Sequence, residues 1–404
     1  MNFKIIPGGG ITSAAGFMAG AAQAAIKKPG RFDVALVSSK VPAAAAAVFT
    51  TNKYQAAPVL ISKKHLEKRR IQGFVVNSGC ANACTGDGGL RDALMMAEAS
   101  AAVLGCGANE VLVASTGVIG VPLPMDKVKK GIKEAGENLH ADNGPLAAQA
   151  IMTTDTFAKE LAVQFEITGK TITVGGMAKG SGMIHPNMAT MLGFVTTDAA
   201  ISAECLQKAL SFANEDSFNM VTVDGDTSTN DCLLVLANGL AGNAPITDKN
   251  SDSYILFEQA LTYICTELAI LVAKDGEGAT KLMEVKVYNA PSKTEAALGA
   301  RAIAGSNLVK AALFGEDANW GRIICALGYS GAEFDPGVVD VYLGDVKVAE
   351  AGCSLGFDEE AAAKVLSGKK VTINVDLKTG KAEATAWGCD LTYDYVKING
   401  SYRT

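Results

Sequence analysis

The stretch Gly175-Gly-Met-Ala-Lys-Gly-Ser-Gly-Met-Ile-His-Pro-Asn-Met-Ala-Thr190-Met-Leu-Gly-Phe194 decides how this chain is read. Small residues, Lys179 and Pro186 surround Thr190, which opens a new apolar run. The pattern suits a buried strand-turn-strand whose backbone is held in a special shape. It also places an Ala189–Thr190 bond just before the apolar run. A Thr hydroxyl beside its own peptide bond can attack the preceding carbonyl. Breaking that bond leaves Thr190 as an N-terminus that carries a nucleophile and, in its α-amine, a base. If that bond breaks, one unit spanning 1–404 becomes an α chain, 1–189, and a β chain, 190–404; the residues alone leave open the alternative that Thr190 simply opens a buried strand.

Working outward, residues 161–167 and 170–175 flank Thr168-Gly169 and read as a hairpin that delivers the chain into the Thr190 segment. Runs at 35–39, 46–51, 73–77 and 110–115 read as buried strands. Residues 86–99 begin the clearest helix, with apolar residues at helical spacing. Beyond Thr190, residues 202–218 and 253–274 read as helices. Residues 220–223, 232–237, 281–288, 338–343, 370–375 and 382–387 read as strands. The mixture favours an α/β fold with sheets packed on each other and covered by helices.

The chain has 404 residues, 49% hydrophobic, enough for a large core in one big domain or two. A net charge of -6 argues against a nucleic-acid partner, which calls for a basic face. The apolar stretch 255–272 contains Glu258, Gln259, Thr262 and Glu267, so no run is expected to span a bilayer. The N-terminus lacks the charged-then-apolar layout of a signal peptide, and a cytoplasmic location is the expectation. The nine cysteines are scattered, and most sit among apolar neighbours, as Cys325 does. They read as buried reduced thiols, not as a zinc site.

Several residue types carry chemistry. Thr116-Gly117 follows the run at 110–114, and a tight turn there would offer the Gly117 N–H and the Thr116 hydroxyl to a developing oxyanion. The alternative is an ordinary strand-to-helix turn. Lys179 sits amid glycines, where an ammonium can pair with an α-carboxylate or simply be a solvated loop cation. The P-loop order is absent around it. Glu277, between Gly276 and Gly278, suits a ligand ammonium or a surface turn. His185 is close to Thr190 but reads as a loop packing residue, since a released α-amine can serve as the base. Asp224, Asp226 and Asp231 lack the calcium-loop spacing and read as a braced polar turn, so no metal is expected.

Pro186-Asn-Met-Ala-Thr-Met-Leu192 resembles the processing site of the ornithine acetyltransferase (glutamate N-acetyltransferase, ArgJ) family. The resemblance extends over nearly the whole chain, through Asn77-Ser-Gly-Cys-Ala-Asn-Ala-Cys-Thr-Gly86, Ser115-Thr-Gly-Val-Ile-Gly120, Thr222-Val-Asp-Gly-Asp-Thr-Ser-Thr-Asn-Asp231, Lys274-Asp-Gly-Glu-Gly-Ala-Thr280 and Asn319-Trp-Gly-Arg322. It implies two stacked β-sheets between helix layers, with a smaller C-terminal α/β portion. It implies transfer of acetyl from N2-acetyl-L-ornithine to L-glutamate in arginine synthesis, with Thr190 as nucleophile and Thr116 and Gly117 as the oxyanion hole. Substrate contacts would be Thr153, Lys179, Thr190, Glu277, Asn399 and Thr404. No cofactor is implied; acetyl-CoA is a candidate co-substrate. The α and β chains would pair into a heterotetramer of two of each, with no nucleic-acid or membrane partner. The rival reading is an amide hydrolase or aminopeptidase of the same self-cleaving superfamily, with water as acceptor. A binding protein without turnover is a further rival, disfavoured by the intact Thr190, Thr116-Gly117, Lys179 and Glu277.

Overall fold

The computed structural model describes residues 3–185 and 191–401. The chain divides into two units. The first comprises the described residues of Met1–Gly180, Asn187–Asn219 and Thr227–Leu268; the second those of Ser181–Pro186, Met220–Asp226 and Ala269–Thr404.

The first unit's strands are β1 (Lys4–Ile5), β2 (Phe17–Ala22), β3 (Val34–Phe49), β4 (Arg70–Cys80), β5 (Val111–Val118), β6 (Lys159–Ile167), β7 (Lys170–Lys179), β8 (Leu192–Thr197) and β9 (Cys232–Ala237). Its helices are α1 (Ala57–Leu66), α2 (Gly86–Leu104), α3 (Met125–Glu137), α4 (Gly144–Ala150), α5 (Ala203–Glu215) and α6 (Asp252–Lys274), whose last residues belong to the second unit. Among the described residues the strands form one sheet, ordered β1-β6-β7-β8-β9-β3-β4-β5, with β2 also on β3.

The runs at 35–39 and 46–51, read separately from sequence, lie largely within the one strand β3. Its first half pairs with β2 and β4 and its second half with β9. Between Ser38 and Ala43 the register with β4 shifts. Pro42 stands in that interval, where an irregular ladder tolerates a residue without an N–H. Around β3 the two halves of the sheet face one another. Phe17, Val37, Phe74 and Leu112 share one buried cluster with Met177, Leu192, Phe194 and Leu234. The rings of Phe74 on β4 and Phe194 on β8 stack with centroids 4.5 Å apart. The alternate residues Val34, Leu36, Val75, Val111 and Val113 point the other way and pack with Ala93, Met96 and Ala97 of α2 and Val128 and Ile132 of α3. On the far layer, a Cβ on Gly176 of β7 would stand 2.9 Å from Leu268 and 3.2 Å from Ile264, so α6 lies directly over that strand. The expected two stacked layers between helices are present, and both belong to one hydrogen-bonded sheet.

The β6–β7 hairpin turns at Thr168 and Gly169 as the sequence predicts, with φ of 49° and 75°. Two successive left-handed residues match the twist of paired strands.

The second unit is the expected smaller α/β portion. It holds β10 (Leu282–Ala290), β11 (Asp340–Leu343), β12 (Val346–Glu350), β13 (Cys353–Ser354), β14 (Lys370–Asp376) and β15 (Ala382–Cys389). Its helices are α7 (Lys293–Gly305), α8 (Asn307–Phe314), α9 (Trp320–Gly328), α10 (Glu359–Leu366) and α11 (Tyr393–Gly400). The sheet order is β13-β12-β11-β14-β10-β15. On β10, Met283, Val285 and Val287 are buried, while Glu284 and Lys286 between them pair with Lys370 and Glu383. Strict alternation of this kind marks a sheet covered on one face.

Three expectations need correction. Residues 220–223 form no strand; Val221 makes an isolated bridge to Trp387, because β-branched content alone does not supply a ladder partner. α6 is long and apolar enough to cross a membrane by length and composition, against the expectation that no run is. Its Phe257, Leu261, Ile264 and Leu268 are buried within the protein. Cys325 is exposed, as are Cys84 and Cys353, whereas Cys80, Cys205, Cys232, Cys265 and Cys389 are buried.

Because Phe194 holds the two layers together from their centre, Phe194→Ala should cost about 3–5 kcal/mol of stability. Urea unfolding should show a lower midpoint with an unchanged slope. A loss below about 1 kcal/mol would mean that the layers are held elsewhere.

Candidate active site

Strand alternation puts the first group of side chains in place. On β7, Met177 belongs to the inner cluster, and Lys179 follows two residues later on the same side. On β5, Ala114 belongs to the same cluster, and Thr116 follows it in the same way. Both side chains therefore emerge between the layers at the edge of the apolar core. The buried Lys179 Nζ donates to Thr153 Oγ1 at 2.7 Å and to Thr116 Oγ1 at 3.4 Å. Lys179 is not a solvated loop residue: it ends β7, and across the ladder it pairs with Leu192, two positions after Thr190 in sequence.

Thr153 lies in the segment between α4 and β6, which two charged groups hold. The Arg31 guanidinium donates to the carbonyls of Met152 and, at 3.3 Å, Thr153. The fully buried Asp155 carboxylate accepts the N–H groups of Thr153 at 3.0 Å and Gly180 at 2.7 Å, and the Lys159 ammonium at 2.7 Å. Burial alone would raise the Asp155 pKa; the Lys179 and Lys159 ammoniums and these donors hold it well below the usual carboxylate range.

Thr116 and Gly117 differ from expectation in being part of β5, not a turn after it. Gly117 has φ of 131°, and a Cβ there would lie 2.3 Å from the carbonyl carbon of Gly79. The β4–β5 register shifts at this point, so the end of β5 is bent by close backbone contact. Asn230 Nδ2 fastens the same end, donating to the carbonyls of Ala81 at 2.6 Å and Ser115 at 2.8 Å. Next to it is Asp231, fully buried, whose carboxyl is pushed well up by burial despite Ser228 and Lys179. The Cys232 N–H, one residue on, donates to the Met191 carbonyl at 3.1 Å.

The second group lies in the second unit. Glu277 is buried, and Asn399 Nδ2 of α11 donates to its Oε2 at 2.7 Å. A Cβ on Gly182 would fall 2.3 Å from that same oxygen, so glycine lets the carboxylate lie against the chain. Asp224 braces this stretch: it accepts the Met183 and Ile184 N–H groups at 2.6 and 2.8 Å and the Tyr395 hydroxyl at 3.2 Å. His185 Nδ1 is 3.0 Å from Thr222 Oγ1; burial, then Arg301, lowers its pKa. Among the described residues no three His, Cys, Asp or Glu side chains gather as metal ligands. Ala189, Thr190 and Thr404 lie outside the described residues.

Sequence reasoning named Thr116, Gly117, Thr153, Lys179, Glu277 and Asn399. The structure brings Thr116, Thr153 and Lys179 to one point and joins Glu277 to Asn399. Reasoning from sequence missed Arg31, Asp155, Lys159 and Asn230. Only Asn230 sits in a stretch already noted for its polar density.

The first unit is thus a β-sandwich between helices, with a buried ammonium and threonine hydroxyls at the edge of its core. The ArgJ family model matches residues 18–404. The "Arginine biosynthesis bifunctional protein ArgJ" of Symbiobacterium thermophilum is 60% identical over 398 residues, covering 98% of this chain and 99% of that protein. A Clostridium acetobutylicum protein named "Arginine biosynthesis bifunctional protein ArgJ 1" is 53% identical over 407 residues, covering 100% of both. A crystal structure of the Bacillus halodurans arginine biosynthesis bifunctional protein, 50% identical, superposes with a TM-score of 0.51 over 53% of this chain and 100% of that one. The chain belongs to the ArgJ family and is an enzyme of it, a glutamate N-acetyltransferase of arginine biosynthesis.

The depressed pKa of Asp155 has a consequence for stability. A carboxyl that ionises more readily folded than unfolded stabilises the fold above its unfolded value of about 3.9, and the contribution fades as pH falls below that. Asp155→Asn should therefore be less stable than wild type at pH 7. The gap, measured by urea unfolding, should close progressively below about pH 4. A gap independent of pH would mean that Asp155 is not charged in the folded protein.

Proposed function

We propose that the chain transfers acetyl from N2-acetyl-L-ornithine to L-glutamate through an acetyl ester on Thr190, formed after self-cleavage of the Ala189–Thr190 bond. The observation that carries this reading is the Lys179 ammonium, held 2.7 Å from Thr153 Oγ1 and 3.4 Å from Thr116 Oγ1 and in register with Leu192. Donor and acceptor both present an α-carboxylate, which one fixed cation serves in turn.

In this mechanism the Thr190 Oγ attacks the acetyl carbonyl, its proton passing to the free α-amine. The tetrahedral oxyanion is met by the Gly117 N–H and the Thr116 hydroxyl. Collapse breaks the C–N bond, and ornithine leaves with the proton on its amine. The α-amine of glutamate then attacks the ester carbonyl and regenerates Thr190 as N-acetylglutamate departs. Glu277, whose carboxylate Asn399 holds, has the charge to take the ornithine side-chain ammonium.

Strand pairing supports survival of the assembly after cleavage. β7 and β3 precede the scissile bond, β8 and β9 follow it, and the β7–β8 and β3–β9 ladders tie the two fragments together. Residues 190–404 number 404 − 189 = 215, which is 53% of the chain, the share matched by the whole Bacillus halodurans chain. The α and β chains would associate as two of each in the cytoplasm. The name bifunctional, borne by the relatives, supports acetyl-CoA as a second acetyl donor to glutamate at the same Thr190.

Self-cleavage is checked by intact mass and N-terminal sequencing: active protein should consist of 1–189 and 190–404, and Thr190→Ala should remain whole and inactive. Initial rates with both substrates varied should give parallel double-reciprocal lines. Acetylornithine alone should leave one acetyl group on the 190–404 fragment. Intersecting lines with no acetylated fragment would refute the covalent route. Acetate released equally fast without glutamate would make the protein an amide hydrolase.

The oxyanion assignment has its own test. Thr116→Ala should lower kcat roughly 10²–10³-fold, with KM far less affected, because the hydroxyl acts on charge that develops in the transition state. A near-normal kcat with a large rise in KM would reassign Thr116 to substrate binding.

A further inference from the structure

Lys159 and Asp155 form an ion pair with no solvent exposure on either side chain, and no step of the reaction uses either group. Taking two charges out of water is expensive, and such a pair stabilises a fold little better than apolar residues of the same volume. Its geometry fits another role. Asp155 Oδ1 accepts both the Lys159 ammonium and the Gly180 N–H at 2.7 Å, and Oδ2 accepts the Thr153 N–H at 3.0 Å. One carboxylate thus fixes the backbone beside Lys179 and the backbone of Thr153, the two residues whose side chains meet. Lys179 Nζ itself stands 3.9 Å from Asp155 Oδ2, outside hydrogen-bonding reach.

We propose that the buried Lys159–Asp155 pair is a positioning device for the substrate-carboxylate site: Lys159 occupies the Asp155 carboxylate, so that the Lys179 ammonium stays with Thr153 and faces the α-carboxylate of donor and acceptor. The inference rests on the reading that Lys179 receives that carboxylate. Without Lys159, Lys179 is the nearest remaining cation to a buried anion and collapses onto it. Asp231 also lies in electrostatic reach of Lys179, but burial drives it toward its neutral form, so it competes weakly. Arg31 is engaged with the carbonyls of Met152 and Thr153.

The experiment compares Lys159→Met, the double variant Asp155→Asn/Lys159→Met and Lys179→Met in the processed enzyme, with kcat and KM measured for acetylornithine and for glutamate. Lys159→Met should raise KM for both substrates by roughly 10-fold, a coupling of the size found within one buried charge network, while kcat changes much less. The double variant removes the anion that captures Lys179 and should bring both KM values back to within about 3-fold of wild type. Unchanged KM in Lys159→Met, or a double variant no better than the single, overturns the proposal. Should the single variant not fold, the double decides: near-normal KM supports the device, and KM raised as far as in Lys179→Met refutes it. Lys179→Met separates the two levels, because normal KM in that variant would sink the carboxylate reading itself.

Discussion

The meeting of Lys179, Thr116 and Thr153 depends on the face-to-face packing of two layers of one sheet. β3 is long enough to belong to both halves, and the stacked Phe74 and Phe194 rings mark where their inner faces meet. Apolar faces in contact exclude water, so a polar side chain at their edge must find its partners in the protein. Lys179 and Thr116 are such side chains, each two residues beyond an inner-cluster residue. Their meeting follows from strand alternation and from the separation of the layers.

The same constraint explains the density of buried polar groups on the Lys179 side. An ammonium removed from water needs acceptors and a counter-charge. Thr153, Thr116 and Asp155 supply them at 2.7, 3.4 and 3.9 Å. Asp155 in turn needs donors, and it has the Lys159 ammonium and two backbone N–H groups. A fully satisfied network of this kind holds one geometry. Fixed donors suit a reaction in which charge develops at one known position, because no reorganisation is then required.

The residues that carry glycine illustrate how local composition misleads. The sequence reads 170–175 as strand and leaves glycine-flanked Lys179 open to a loop, yet β7 continues through Gly175 and Gly176 to Lys179. These glycines are small because a Cβ on Gly175 would meet the Gly10 carbonyl oxygen at 2.1 Å and one on Gly176 would meet α6. Likewise, Thr116-Gly117 read as a turn because glycine follows a polar residue. The strand continues through it, bent by contact with Gly79. In both places the glycine reports close packing of backbone, a property of neighbours distant in the chain.

The sequence by itself determined the local elements and the residue types of the site. Short β-rich runs marked β5, β9 and β10, helical spacing marked α2, and Thr168-Gly169 marked the hairpin, since each depends on residues a few positions apart. It also singled out Thr116, Lys179 and Glu277 as groups with chemistry to offer. Only the tertiary structure decided that 35–39 and 46–51 fall within one strand, that 220–223 is none, and that Arg31, Asp155, Lys159 and Asn230 support the site. Lys179 meets Thr153 from 26 positions away and Thr116 from 63, and Asn230 meets Ser115 from 115. Such contacts leave no periodic trace, because they arise when strands far apart in the chain are layered against each other, and burial then forces each polar group onto whichever partner the layering brings within reach.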